Sequence, residues 1–223
     1  MVVKFLLATV IAQILMFASN VTATPNIVDK PVLWNDYREQ LTREYAETHY
    51  GMSVTTIEPR AVVVHWTAGS TWESAYYTFY DETRADGSGT VNVSSQFIVD
   101  RDGTIYRTMP ETKLARHVIG YNWCAIGIEN VGGVNNAEDL TDAQLQANIE
   151  LIRYLHEKYP TIEYVFGHYQ QVEARSSGLY IEHVQGYYSL KPDPGKIFMN
   201  DLRNELEGDG LKFISKIIHK NFA

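Results

Sequence analysis

The chain has 223 residues, 27 acidic against 19 basic, and a formal net charge of −8. That length suits one domain of ordinary size with appendages, and an acidic surface of this kind disfavours nucleic acid as a partner, so none is expected. A single cysteine, Cys124, leaves no internal disulfide, which argues for a bacterial periplasm or medium rather than a disulfide-rich secretory setting.

The first 26 residues, "MVVKFLLATVIAQILMFASNVTATPN", read as a secretory signal. Lys4 forms a basic front, Phe5 to Ala18 is largely apolar, and Val21-Thr22-Ala23 offers a small-residue cleavage site. Residues 1–23 are therefore expected to be removed on export, taking the charge to −9. The apolar run is short for a membrane span, and no other segment looks transmembrane, so no stable membrane insertion is expected. Residues 24–56 read as a lead-in with a short helix. The sequon Asn92-Val93-Ser94 is too short a pattern to weigh much.

From there strands and helices interleave. "RAVVVHW" is a β-branched run of buried-strand type, and "STWESAYYTFY" is a helix capped by Ser70 or Thr71. Its tyrosines, Tyr76, Tyr77 and Tyr80, fit helix packing better than a sugar platform. "SSQFIVDRDGTIYRTM" reads as a hairpin turning around Asp100 to Gly103, and "CAIGIENVGG" as a strand stopped by two glycines. Cys124 reads as a small buried residue with no activating partner. In "LTDAQLQANIELIRYLHEKYP", Thr141 and Gln144 form a capping box, and Leu145, Ile149, Ile152, Leu155 and Tyr159 recur at helical spacing. His156 on that helix is expected to face solvent or bond locally. "YVFGH" is a short strand, 169–190 a long loop with a helical turn near Gln170 to Ala174, and "GKIFMNDLRNELEG" a helix. "LKFISKIIHKNF" reads as a last helix, basic and amphipathic through Lys212, Lys216 and Lys220 beside Ile214, Ile217 and Ile218; docking on the domain suits it better than a membrane. The pattern predicts an α/β fold with a mixed central sheet flanked by helices.

Three residues sit where metal ligands usually sit. His65 ends one strand, His168 ends another, and Asp193 lies in "SLKPDPGK", a proline-stiffened run in which Lys191 and Asp193, two residues apart and each before a proline, point the same way. The separations of 103 and 25 residues rule out a local finger or a helical H-E-x-x-H motif. Two imidazoles and one carboxylate leave a fourth tetrahedral position open, the arrangement of a catalytic zinc.

The ordered motifs "VVVHWTAGS", "SSQFIVDRDGTIYR", "LARHVIGYN", "AIGIENVG", "FGH" and "KPDPG" resemble the zinc-dependent N-acetylmuramoyl-L-alanine amidases, a family that includes phage amidases and is related to peptidoglycan recognition proteins. The resemblance runs from about Ile57 to Phe198. It implies a single catalytic domain over 57–198, a C-terminal helical extension over 199–223, and one Zn2+ held by His65, His168 and Asp193. It implies catalytic roles for Glu129, as general base and proton carrier, and for Lys191, as positive charge beside a developing oxyanion. His117 matches a position near the substrate, where contact with the sugar or stem peptide stands against an ordinary surface histidine. The implied substrate is peptidoglycan or a muropeptide, cut between the lactyl group of N-acetylmuramic acid and L-alanine. A non-catalytic peptidoglycan-binding module and a zinc peptidase acting on stem peptides remain open alternatives. So does the loop 169–190, which holds the last two ligands further apart than in many members: its His183 can replace Asp193, or the loop can cover the site.

Overall fold

The computed structural model describes residues 24–214. The expected signal at 1–23, and the basic positions Lys216 and Lys220, lie outside the described residues. Seven strands form one sheet: β1 (Ile27–Asp29), β2 (Ala61–Trp66), β3 (Phe97–Val99), β4 (Ile105–Arg107), β5 (Ala125–Asn130), β6 (Tyr164–Gly167) and β7 (Lys212–Phe213), in the order β1-β4-β3-β5-β2-β6-β7. The β3–β4 hairpin pairs antiparallel, and every other neighbour pair is parallel. Among the described residues four α-helices accompany it: α1 (Asp36–Tyr50), α2 (Trp72–Tyr80), α3 (Asp142–Lys158) and α4 (Lys196–Glu205).

The central strand β2 is buried along its whole length, which is why it reads as the unbroken run "AVVVHW" rather than an alternating one. Side chains still alternate between faces. Val62, Val64, Ile126 and Ile128 join the cluster built with Ile149, Ile152 and Leu155 of α3 and Phe198, Met199 and Leu202 of α4. Ala61, Val63, Ala125 and Phe166 join the opposite cluster with Val118, Tyr121 and Leu179. Continuing that alternation to the strand ends puts His65, Glu129 and His168 on the second face, at the carboxyl ends of three neighbouring parallel strands, where open α/β sheets carry their clefts.

The capping box at the start of α3 is formed as its sequence demands: Gln144 N donates to Thr141 Oγ1 at 3.1 Å and Thr141 N to Gln144 Oε1 at 2.9 Å. At α2 the N-cap is Thr71, while the far end is closed by other elements. The buried guanidinium of Arg38 from α1 donates to the carbonyls of Phe79, Tyr80 and Asp81. Asn92 Nδ2 donates to Thr78 O and Asp81 O at 2.8 and 3.0 Å. Two side chains thus satisfy carbonyls that a helix end leaves orphaned, and they fix α2 as one wall of the cavity described below.

Several expectations are corrected. The lead-in holds a strand, β1, and a full 15-residue helix, α1, closed by Gly51 at φ +68°. The expected last helix does not begin at Leu211: Lys212 and Phe213 instead extend the sheet beside Tyr164 and Val165. The helix α4 crosses the boundary expected at 198/199. Asn92 of the sequon is buried and bonded to α2, so its amide is not offered to a glycosyltransferase in the folded chain. Tyr77 is 68% exposed rather than packed. Cys124 is buried, and His156 Nδ1 bonds to Ile162 O at 2.9 Å, as expected.

Candidate metal centre

His65 Nδ1 lies 3.0 Å from His168 Nδ1 and 3.0 Å from Asp193 Oδ2, and His168 Nδ1 lies 3.2 Å from the same Oδ2. The structure thus gathers all three candidate ligands, each buried, from two strand ends and one loop. The loop is brought in by backbone: Tyr169 N donates to Asp193 O at 2.9 Å, and Gly195 N to Pro192 O at 3.1 Å. Gly167 has no Cβ because one would sit 2.7 Å from Pro194 Cδ, so the loop closes onto the end of β6 only over a glycine.

Hydrogen bonds decide which atoms face inward. A carbonyl only accepts, so His117 Nε2 donates to Ala125 O, 3.2 Å away. Burial, and then the neighbouring His65, hold His117 well below the usual imidazole range. Its ring is therefore neutral and its Nδ1 accepts from His65 Nε2 at 3.0 Å. That leaves a lone pair on His65 Nδ1, and burial lowers the His65 imidazole too, keeping it neutral. Burial opposes ionisation of Asp193, but the neighbouring His168 and His65 rings outweigh it and hold the carboxyl below the ordinary carboxylate range. Three electron-rich atoms then face one another, and one proton on His168 Nδ1 cannot satisfy all three edges. A small cation does. Tetrahedral bonds of about 2.0–2.1 Å would give edges of about 3.3 Å, close to those observed, and neutral imidazoles with an ionised carboxylate are the protonation states a divalent metal requires.

Glu129 stands directly across from His65 in the β2–β5 register. Its Oε2 is shut off from solvent and has no hydrogen-bond partner among the described residues. Burial, then the charge of Asp193, push this carboxyl well above the usual range, with Lys191 pulling the other way. Glu129, Lys191 and the three ligands line one cavity of about 530 Å3, with Ser74 and Thr78 of α2 on its far wall. Lys191 is exposed at the mouth while Asp193, two residues on, is buried, so the proline frame presents both to the same space.

His117 also lines the cavity, with its two ring nitrogens committed to His65 and Ala125. Room for its ring comes from Gly127, where a Cβ would lie 2.8 Å from it. His183 is not among the gathered ligands; it is exposed, and its ring packs by Gly51. Sequence reading passed over Asn130, whose Nδ2 donates to His65 O at 3.0 Å and whose Oδ1 accepts from Asn148 at 2.7 Å, a buried amide chain from α3 to the ligand's own backbone. It also passed over Arg116 in the cavity wall, although that residue adjoins His117 in "ARHV".

Residues 55–196 match the family model for N-acetylmuramoyl-L-alanine amidase. A 75-residue stretch is 35% identical to the endolysins of Klebsiella phage KP32 and Escherichia phage T7, covering 32% of this chain and 50% of each of those. The chain thus spans about half the length of the curated relatives it matches. Among solved structures, the N-acetylmuramoyl-L-alanine amidase LysC from Clostridium intestinale URNW is similar at 24% identity and a TM-score of 0.55, over 85% of this chain and all of that one. Bumblebee PGRP-SA is similar at 17% identity and a TM-score of 0.52, over 85% and 98%. These two likenesses establish a shared single-domain fold. No helix among the described residues is long and apolar enough to cross a membrane.

Proposed function

Since the chain belongs to the N-acetylmuramoyl-L-alanine amidase family, we propose that it is a zinc-dependent hydrolase of the amide between the lactyl group of N-acetylmuramic acid and L-alanine, in peptidoglycan or muropeptides. The observation that carries this reading is the convergence of His65, His168 and Asp193 within one cavity beside a buried, unpartnered Glu129. We propose that the chain is exported and meets its substrate outside the cytoplasm, the residues before about Ala23 serving as signal.

His65, His168 and Asp193 would hold one zinc ion, which when bound supplies a Lewis acid at the amide carbonyl and lowers the pKa of water. Glu129 performs the proton work. A carboxyl raised toward neutrality is a stronger acceptor than an ordinary one, so its Oε2 takes the proton from the attacking water and returns it to the departing nitrogen. The C–N bond breaks as the C–O bond forms, leaving a lactyl carboxylate and a free L-alanine amine. Lys191 places a fixed positive charge at the cavity mouth, where the carbonyl oxygen gains negative charge. His117 keeps the His65 lone pair aimed inward.

Digestion of purified cell wall by the zinc-loaded chain tests this. New L-alanine amino termini without new reducing sugar ends are expected, and Glu129→Ala should keep its zinc while losing about 10²- to 10⁴-fold in rate. Amino groups freed on diaminopimelate or D-alanine instead would mean a peptidase. Wall binding without any release would mean a binding module, and a fully active Glu129→Ala would remove that residue from the mechanism.

A further inference from the structure

The cavity has two cations in its wall, and the proposed mechanism uses one. The other is Arg116, half-buried and one residue before His117. Its Nη1 donates to Val91 O at 2.6 Å, its Nη2 donates to Tyr187 Oη at 2.8 Å, and its guanidinium lies 5.1 Å from the centre of the Tyr45 ring. Among the described residues it makes no ion pair. Arg43, Arg60, Arg84, Arg101, Arg107 and Arg153 pair with carboxylates, and Arg38, Arg175 and Arg203, which like Arg116 do not, lie outside the cavity wall. A guanidinium has five N–H donors, and two bonds to neutral oxygens fix its plane without cancelling its charge. Holding an arginine still lowers the entropy lost when it binds, and its planar fork matches a carboxylate.

The brace comes from the long loop. Tyr187 packs its ring 4.5 Å from that of His49 on α1. The same loop is tied down there by Glu182 Oε1, 2.8 Å from His49 Nδ1, and by His183 N donating to His49 O at 2.9 Å.

We propose that Arg116, braced by Tyr187, is a subsite that reads a free carboxylate on the peptide side of the substrate. The inference rests on the amidase reading for the identity of that substrate. In a lactyl–alanine amide the lactyl carboxyl is consumed by the bond itself, so the free carboxylates belong to the peptide. The first of them along the stem is the α-carboxylate of the γ-linked D-glutamate that follows L-alanine. The guanidinium thereby marks which side of the cavity receives the peptide and gives the 169–190 loop a task in substrate selection.

The test uses two soluble muramoyl tripeptides, both amidated at the C-terminus, differing only in whether the D-glutamate α-carboxyl is a carboxylate or a carboxamide. The zinc-loaded wild-type chain should show a kcat/KM about tenfold or more higher for the carboxylate, the worth of a charge-assisted hydrogen bond. Arg116→Gln should bring the ratio to about one, and Tyr187→Phe, which leaves the guanidinium in place, should narrow it. A wild type without preference, or an Arg116→Gln variant that keeps it, would overturn the proposal. Should neither compound be cut, the amidase reading fails on its own. Arg116 is then judged by calorimetry with the two free tripeptides, where the wild type must bind the carboxylate form more tightly and Arg116→Gln must not. If Arg116→Gln does not fold, Tyr187→Phe decides, and an unchanged ratio there overturns the braced subsite.

Discussion

His65 and His168 bring the same chemical group to the same cluster from adjacent parallel strands, yet they are held differently. Behind His65 runs a chain of hydrogen bonds: Nε2 to His117 Nδ1, His117 Nε2 to Ala125 O, with Asn122 Oδ1 accepting from the backbone of His117 at 2.9 Å and Asn130 gripping the His65 carbonyl. Among the described residues there is no such chain behind His168, and its buried Nε2 has no hydrogen-bond partner. That half of the site is held by backbone and packing: Gly167 N donates to Gln170 Oε1 at 2.9 Å, Tyr169 N to Asp193 O at 2.9 Å, and Pro194 presses on the glycine. One half dictates the position of a proton, and the other dictates only the position of atoms. Metal sites commonly fix both through outer hydrogen bonds, so the tautomer is a constraint on one ligand and a freedom on the other.

The largest effect should come from removing the candidate ligand on which both halves depend. Asp193 contacts both imidazoles and carries the only ionised oxygen of the cluster. Asp193→Ala should take the purified, desalted protein from about one zinc per chain to almost none, since two neutral imidazoles alone make a weak site. Elemental analysis reads this directly. A variant still holding a full equivalent would mean that the metal sits elsewhere.

The next effect should be confined to the braced half. His117→Ala removes the acceptor that keeps the His65 proton on Nε2, leaving both ligands with unassisted outer nitrogens. Zinc affinity measured by chelator competition should fall about 10- to 100-fold, the usual cost of losing such an outer partner. Nitrogen-15 imidazole spectra of the metal-free protein should show His65 losing its single tautomer while His168 is unmoved. Unchanged affinity together with an unchanged His65 spectrum would show that the chain of bonds does not set the ligand.

How much of this was legible in the sequence follows the same division between local pattern and assembled contact. β2, β5 and α3 were readable because "AVVVH", "AIGIE" and the 145-149-152-155 spacing carry their burial in apolar letters. Of α1 only a short helix was readable, not its full length, because its buried face is written as Arg38, Leu41, Thr42, Tyr45, Ala46, His49 and Tyr50, a helical spacing spelled largely in residues with polar groups. Strand β7 was misread because two residues carry no period of their own; Lys212 and Phe213 become a strand only through the exposed edge of β6. In the site, the three candidate ligands could be named because strand ends and a proline frame are local signals. The ties of Arg116 to Val91 and Tyr187, and of His117 to His65, join residues 25 to 71 positions apart, and no local pattern announces them.

The smallest effect concerns Glu129, which stands across the sheet from His65 and feels the charge of Asp193 from the other half. In the metal-free protein its carboxyl is raised, first by burial and then by that charge, so the folded state keeps this proton to a higher pH than the unfolded chain does. Stability must then fall as pH rises from the ordinary carboxylate range, about 4.3, through the raised value. Glu129→Gln keeps the shape and cannot ionise. Below about pH 4 the chelated wild type and variant should melt together; toward neutral pH the variant should melt a few degrees higher, because one kcal/mol corresponds to roughly 2–4 °C in a chain of this size. A gap that widens with pH would show that the base sits in the fold at a cost, while melting curves that stay parallel across the range would mean that neither burial nor Asp193 disturbs this carboxyl.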